Sequence, residues 1–294
     1  MPEDEIDDAF LAPVTDAPEM ATDSDANPSW ARVQLARHPK RPHSLDYIRG
    51  LISGFEELHG DRFFGDDKSI VAGMGFFDGR PVMIVGQQKG RDTKEKLLRN
   101  FGMPKPEGYR KALRIMQLAA KFQRPVITLV DTPGAYPGID AEERGQAEAI
   151  AYNLREMSRL RTAVITIVIG EGGSGGALGL GVANRIYMLE NAYYSVISPE
   201  SCAAIIYRDS GKAPEAAAAL RMTATDLLGM KLIDGVVSEP AGGAHLDPEA
   251  AIAAVRQILQ SAFAELNGLS AEQLIQERYR KFREMGNFFS EAPL

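Results

Sequence analysis

The stretch Ala163-Val-Ile-Thr-Ile-Val-Ile169 runs directly into Gly170-Glu-Gly-Gly-Ser-Gly-Gly-Ala-Leu-Gly-Leu-Gly181. A β-branched strand that meets glycines and then small apolar helix formers predicts a sharp turn with bare N–H groups at a helix N-terminus. Partial positive charge collects there, so the turn suits an anion or an oxyanion. Several chemistries share these letters. Gly170-x-Gly172-x-x-Gly175 matches a dinucleotide-binding fingerprint, and Glu190 closes the next strand-like run, 185–190. Against it, the helix before Asn184 has room for only about two turns, and the motif sits in mid-chain. Gly172-x-Ser174-x-Gly176 also matches a nucleophile elbow, with Asp234 and His245 following in hydrolase order. His245 lies in a Gly-rich segment, 241–248, that reads as a surface loop. A backbone oxyanion hole needs only small residues, and close helix–strand packing is the plainest use of glycine.

The chain has 294 residues, 45% of them hydrophobic, enough to bury a substantial α/β core. No apolar run reaches membrane-spanning length, and the opening Met1-Pro-Glu-Asp-Glu-Ile-Asp-Asp8 is unlike a signal or transit peptide, so the expected compartment is the cytoplasm. The single cysteine, Cys202, excludes an intrachain disulfide and a cysteine-rich zinc site, and the four histidines lack metal-ligand spacing, so no metal is expected in this chain. A net charge of −7 argues against non-specific nucleic-acid binding.

Residues 1–28 are acidic, contain no Lys or Arg and have no sustained periodicity, and read as a disordered acidic tail. A short amphipathic helix follows over 28–38, then a second over 45–58 capped by Ser44. Strands at 69–77 and 81–87 join through Asp78-Gly79, a hairpin signal. Helix and strand then alternate. Helices are expected at 108–122, 141–160, 199–206, 214–221 and 224–230, and strands at 126–130, 163–169, 185–189, 194–197 and 232–237. Helices 248–266 and 270–285 close the chain. The alternation without a long linker indicates one α/β domain.

Asp131-Thr-Pro-Gly-Ala-Tyr-Pro-Gly138 ends the strand 126–130 as the glycine turn ends its neighbour. Two Gly-rich loops therefore open at strand C-terminal ends, where open α/β sheets bind ligands. Gly86-Gln-Gln-Lys-Gly-Arg-Asp-Thr-Lys-Glu-Lys96 adds a third loop. Its Lys89, Arg91 and Lys94 read either as a solvated charged face or as a clamp for phosphate groups, on an acyl-CoA or on an acidic partner.

Together with Gly102-Met-Pro-Lys-Pro-Glu-Gly-Tyr-Arg-Lys-Ala112, Tyr194-Ser-Val-Ile-Ser-Pro-Glu200 and Gly242-Gly-Ala-His245, these segments closely resemble the alpha subunits of bacterial acetyl-CoA carboxylase carboxyltransferases. The resemblance implies a crotonase-type α/β fold of spiralling ββα units with flanking C-terminal helices, as a carboxyltransferase alpha domain over 29–294. It implies transfer of CO2 from carboxybiotin on a carrier protein to acetyl-CoA, giving malonyl-CoA for fatty acid synthesis. The implied partners are a carboxyltransferase beta subunit with a zinc ribbon, in an α2β2 heterotetramer, with biotin carboxyl carrier protein and biotin carboxylase. Carried over by motif, the oxyanion hole falls on the N–H groups of Gly175 and Gly176, and Gly134, Ala135, Tyr136 and Gly138 line the biotin pocket. Ser174 and Cys202 are expected to be structural.

Two departures stand out. The long N-terminal helix of many family members is replaced by the acidic tail. Where the family usually reads Gly-His-Gln-Lys, this chain has Gly86-Gln87-Gln88-Lys89, a change expected to touch no residue given a role above. Two rivals remain: a stand-alone acyl-CoA hydratase or isomerase, for which Glu171 is the nearby carboxylate, and a non-catalytic scaffold for a beta subunit.

Overall fold

The computed structural model describes residues 27–286, so nearly all of the expected acidic tail lies outside the described residues. Eight strands form one sheet: β1 (Ile52–Glu57), β2 (Ile70–Phe77), β3 (Arg80–Gln87), β4 (Val126–Thr132), β5 (Val164–Gly173), β6 (Arg185–Leu189), β7 (Tyr193–Ser195) and β8 (Gly235–Val237). β1, β2 and β3 are antiparallel neighbours, and the β2–β3 hairpin turns at Asp78 and Gly79, both with positive φ, as the Asp-Gly signal requires. From β3 the sheet continues in parallel through β4, β5, β6 and β8. Parallel strands are covered on both faces and so read as unbroken apolar runs. Every residue of β4 and β5 is buried.

The helices are α1 (Pro28–Ala36), α2 (Ser44–Leu51), α3 (Thr93–Leu98), α4 (Pro106–Lys121), α5 (Ile139–Glu143), α6 (Gln146–Ser158), α7 (Ser174–Leu178), α8 (Pro199–Tyr207), α9 (Ala213–Leu220), α10 (Ala224–Gly229), α11 (Pro248–Leu266) and α12 (Ala271–Glu284). α4 packs along α6 and buries Tyr109, Ala112, Leu113, Ile115, Met116 and Ala119. Asp247, with Pro248 at the first helical position, caps α11 through the Ala250 N–H. No helix among the described residues is long and apolar enough to cross a membrane.

Most expected elements are present within a few residues, and four differ for identifiable reasons. The helix expected over 45–58 stops at Leu51, and the chain continues as edge strand β1, with Gly54 at φ 59 beside an irregularity in its pairing to β2. Apolar spacing at Ile48, Leu51, Ile52 and Phe55 suits a helix, but pairing with β2 wins. The N-cap is His43, whose N–H the Asp46 carboxylate accepts at 2.8 Å, while Ser44 is the first helical residue and donates its hydroxyl to the Gln87 carbonyl. The helix expected over 141–160 is broken into α5 and α6 by Gly145 at φ 82. Lastly, α8 turns Ile205 (69% exposed) and Ile206 (66%) outward and buries only Pro199 and Ala203, so Cys202 sits half-buried on a thinly packed helix rather than in the core.

α12 is pinned by Arg278, which is 1% exposed. Its guanidinium donates to the carbonyls of Met157 (2.8 Å), Leu160 (3.0 Å) and Thr162 (2.8 Å) and to Asn184 Oδ1 (2.6 Å). Burial pushes the group down to about 10. Arg278→Ala leaves these acceptors unpaired inside the protein, and we expect a loss of about 3 kcal/mol or more in thermal or urea unfolding. Arg278→Lys is expected to recover only part of it, because one ammonium cannot replace the planar fork.

Candidate active site

Along β4 and β5, Val130 faces Val168 but Thr132 faces Gly172, so β5 carries two more residues than β4 over this interval. Bulges of this kind re-aim side chains. Beyond it the end of β5 pairs with β7, and the Asp131-to-Gly138 loop folds across the start of α7. A Cβ on Gly173 would lie 2.1 Å from the Pro133 oxygen, and one on Gly176 would lie 2.4 Å from the Gly134 carbonyl carbon and 2.5 Å from the Ala135 nitrogen. No side chain fits at either position. The two glycine-rich loops expected to act together are thus in backbone contact.

Gly175 and Gly176 belong to the first turn of α7, whose N–H groups have no acceptor within the helix. Gly175 is half-buried, with nothing nearer its absent Cβ than Ile150 at 3.8 Å. Gly134 and Ala135 face Gly176 directly. Tyr136 is anchored by its own backbone, donating to the Pro104 carbonyl (3.1 Å) and accepting from Gln146 Nε2 (2.9 Å), and Lys105 Nζ lies 4.5 Å from its ring centre. Gly138 packs under the Tyr136 ring and caps α5.

Beneath the glycine turn lies a buried ionic cluster. Lys89 Nζ sits 2.6 Å from Glu171 Oε1 and 2.7 Å from Asp131 Oδ1. Arg37, just past α1, reaches Glu171 Oε2 at 2.7 Å and Glu200 at 2.5 Å, and the Tyr193 hydroxyl also donates to Glu171. Asp131 Oδ1 accepts the Glu171 N–H at 3.0 Å, tying the two loops together a second time. Burial alone would raise the Glu171 carboxyl, but Lys89 and Arg37 outweigh it and bring the group down to about 2. The same carboxylates hold Lys89 charged against its own burial. A cleft of about 170 Å³ opens beside the cluster, lined by Arg37, His38, His43, Lys89, Arg91 and Lys96 among others.

Lys89, Arg91 and Lys94 do not converge into one clamp. Lys89 points inward to two carboxylates, because a buried ammonium requires counter-charges. Arg91 leans back on Asp46 at 2.5 Å, and Lys94 stands exposed on α3. Three residues in this arrangement were not singled out by the sequence as partners: Arg37, Asp131 and Gln87. The change to Gln87 does touch a residue of interest, because Gln87 Nε2 donates to the Gly176 carbonyl at 2.8 Å. For Arg37 no sequence signal exists, since 134 positions separate it from Glu171. Gln87, an amide at the end of an otherwise apolar buried strand, carried a signal.

The hydrolase triad is not assembled. His245 stacks on His38, ring centres 3.7 Å apart, while the Asp234 carboxylate accepts the Ile186 N–H and pairs with Lys281. Nor does the dinucleotide fingerprint form its turn: Gly170 and Gly172 lie within β5, and Glu190 approaches Arg32.

Residues 22–286 match the family described as acetyl co-enzyme A carboxylase carboxyltransferase-like. The acetyl-coenzyme A carboxylase carboxyl transferase subunit alpha of a Thermus thermophilus strain is 59% identical over 259 residues, covering 88% of this chain and 83% of the relative. Its counterparts in Geobacter sulfurreducens and Aquifex aeolicus are 58% and 56% identical over the same share of this chain and over 81% and 80% of their own lengths. Among solved structures, a transcarboxylase 12S chain superposes with a TM-score of 0.64 at 20% identity, over 81% of this chain and 44% of that one. A chain of the Pseudomonas malonate decarboxylase hetero-tetramer in complex with coenzyme A gives 0.64 at 20% identity, over 80% of this chain and 91% of that one. At such identity the likeness is one of fold, and it bears out the crotonase-type α/β architecture. With more than half of its relatives' residues unchanged across nearly nine-tenths of its length, this chain belongs to the acetyl-CoA carboxylase carboxyltransferase alpha-subunit family.

Proposed function

We propose that residues 29–294 form the biotin-side half of a cytoplasmic carboxyltransferase, which moves CO2 from carboxybiotin on a carrier protein to acetyl-CoA and yields malonyl-CoA for fatty acid synthesis. The observation that carries this reading is the contact of Gly173 and Gly176 with the 133–135 backbone, which joins a turn rich in N–H groups to the loop assigned to biotin. Cleavage of the carboxybiotin C–N bond puts negative charge on the ureido oxygen, and the Gly175 and Gly176 N–H groups would stabilise it without a titrating side chain. The biotin enolate then takes a proton from the acetyl methyl group, and the resulting thioester enolate attacks the released CO2. The enzyme needs no histidine base for this sequence.

The subunit-alpha names of the relatives and the hetero-tetrameric malonate decarboxylase support a second crotonase-type chain, a zinc-bearing beta subunit, across the site. We assign the rest of the assembly to α2β2 carboxyltransferase working with biotin carboxyl carrier protein and biotin carboxylase. Acyl-CoA phosphates or an acidic partner would meet the exposed Arg91 and Lys94, with Lys89 behind them neutralised by its carboxylates.

A hydratase or isomerase would need Glu171 to exchange protons near neutral pH, whereas its neighbours hold it down to about 2. A scaffold without catalysis would not need glycine N–H groups beside the 133–135 loop.

Mixing the chain with its zinc-bearing partner should give malonyl-CoA from carboxybiotin and acetyl-CoA at a rate neither chain reaches alone; equal activity of this chain by itself would refute the reading. In the mixture, Gly176→Ala pushes the Gly134–Ala135 peptide aside, and kcat should fall on the order of 10²-fold, the scale of losing one oxyanion donor. Ser174→Ala should keep most of the activity, since Ser174 is exposed and no nucleophile is invoked.

Because the folded pKa of Glu171 lies below its ordinary 4.5, its stabilising contribution is complete above that value and is lost as pH falls toward about 2. Glu171→Gln, which strands Lys89 and Arg37, should cost about 3–5 kcal/mol at neutral pH and flatten the acid limb of the stability profile. Arg91→Gln with Lys94→Gln should raise the KM for acetyl-CoA several-fold and make it less sensitive to salt than in the wild type.

A further inference from the structure

Gln87, the last residue of β3, is fully buried and lies below the two loops. Both ends of its carboxamide are in use. Nε2 donates to the Gly176 carbonyl at 2.8 Å, and Oε1 accepts the Asp131 N–H at 3.1 Å. Its backbone carbonyl accepts the Ser44 hydroxyl at 2.6 Å, which fixes the residue from the side of α2. One side chain therefore spans the start of the 131–138 loop and the first turn of α7. A buried amide of this kind is directional: it must present one donor and one acceptor, and turning it round would oppose oxygen to oxygen and N–H to N–H.

We propose that Gln87 is a positioning residue, whose carboxamide clamps the Gly176 carbonyl to the Asp131 N–H and so sets the spacing of the two loops that receive carboxybiotin. This inference rests on the carboxyltransferase reading above. Gln87 touches no reacting atom and acts through the orientation of the α7 peptides. Packing between Gly176 and the 133–135 backbone resists compression of the loops. The clamp resists their separation, which packing alone does not. A carboxamide also keeps its donor and acceptor at any working pH, which an imidazole or a carboxyl group in its place would not.

The test uses the full chain with its partner subunit, comparing Gln87→Leu, Gln87→Glu and Gln87→His with the wild type from pH 6 to 8.5, with melting temperatures to verify folding. The titratable groups around the clamp are Tyr109, whose hydroxyl also reaches the Gly176 carbonyl, the Asp131 carboxylate with Lys89 and Glu171 bound to it, and His43. Their own titrations cancel in the ratio of variant to wild type. For Gln87→Leu we expect kcat to fall about tenfold or more, with the KM for acetyl-CoA within twofold of wild type. The Gln87→Glu ratio should rise toward acid pH, where a protonated carboxyl can again donate to Gly176. The Gln87→His ratio should rise toward alkaline pH, where neutral imidazole offers one donor and one acceptor. Folded variants with wild-type kcat, or with ratios that do not move with pH in opposite directions, overturn the clamp. An inactive wild-type pair would instead refute the carboxyltransferase reading on which it rests.

Discussion

Two backbones approach so closely at Gly173 and Gly176 that a single methyl group at either position would collide with the Pro133–Ala135 segment. The rest of the site is arranged around that contact. It requires β4 and β5 to run parallel and adjacent, and the extra residues in β5 bring the glycine turn over its neighbour's loop. The two loops come from parallel strands whose ends lie on the same edge of the sheet, the place where such sheets form ligand crevices. Small residues are needed here because peptide N–H groups can meet a ligand only where no side chain stands in front of them.

Charge holds the same region from below. Lys89 and Arg37 on one side and Asp131, Glu171 and Glu200 on the other form a network that spans β3, β4, β5, α8 and the chain after α1. Buried ions are costly to desolvate, and such a network is tolerable only when each member keeps its partners. The consequence is geometric more than energetic: the strand ends can move only together. Arg41 extends the pattern, pairing with Glu239 at 2.5 Å with both side chains almost fully buried, and donating to the Ile169 carbonyl of β5 at 2.8 Å. The segment between α1 and α2 is thereby sewn to the strand that leads into the turn.

Local chemistry was readable wherever one element carried it. Asp78-Gly79 specified the hairpin, the apolar runs specified β4 and β5, and Asp247-Pro248 specified the start of α11. The reading failed where two local preferences competed and a partner decided. Residues 52–57 satisfied helical spacing until β2 offered them a ladder, and α5 separated from α6 at one left-handed glycine. α8, apolar by composition, leaves two isoleucines in solvent, because burial depends on what lies opposite a helix and not on the helix alone.

By itself the sequence determined the class of fold, the two glycine-rich loops at strand ends and the family to which they belong, because strand runs, turns and long motifs are properties of neighbouring residues. The tertiary structure alone decided which groups meet. Lys89 became a buried counter-ion rather than a phosphate ligand, Glu171 became a fixed anion rather than a base, and Gln87 became a bridge between the loops. Each of those outcomes depends on atoms brought together from more than 40 positions apart. Protonation, pairing and donor direction are set by the neighbours in space, which the order of residues along the chain does not contain.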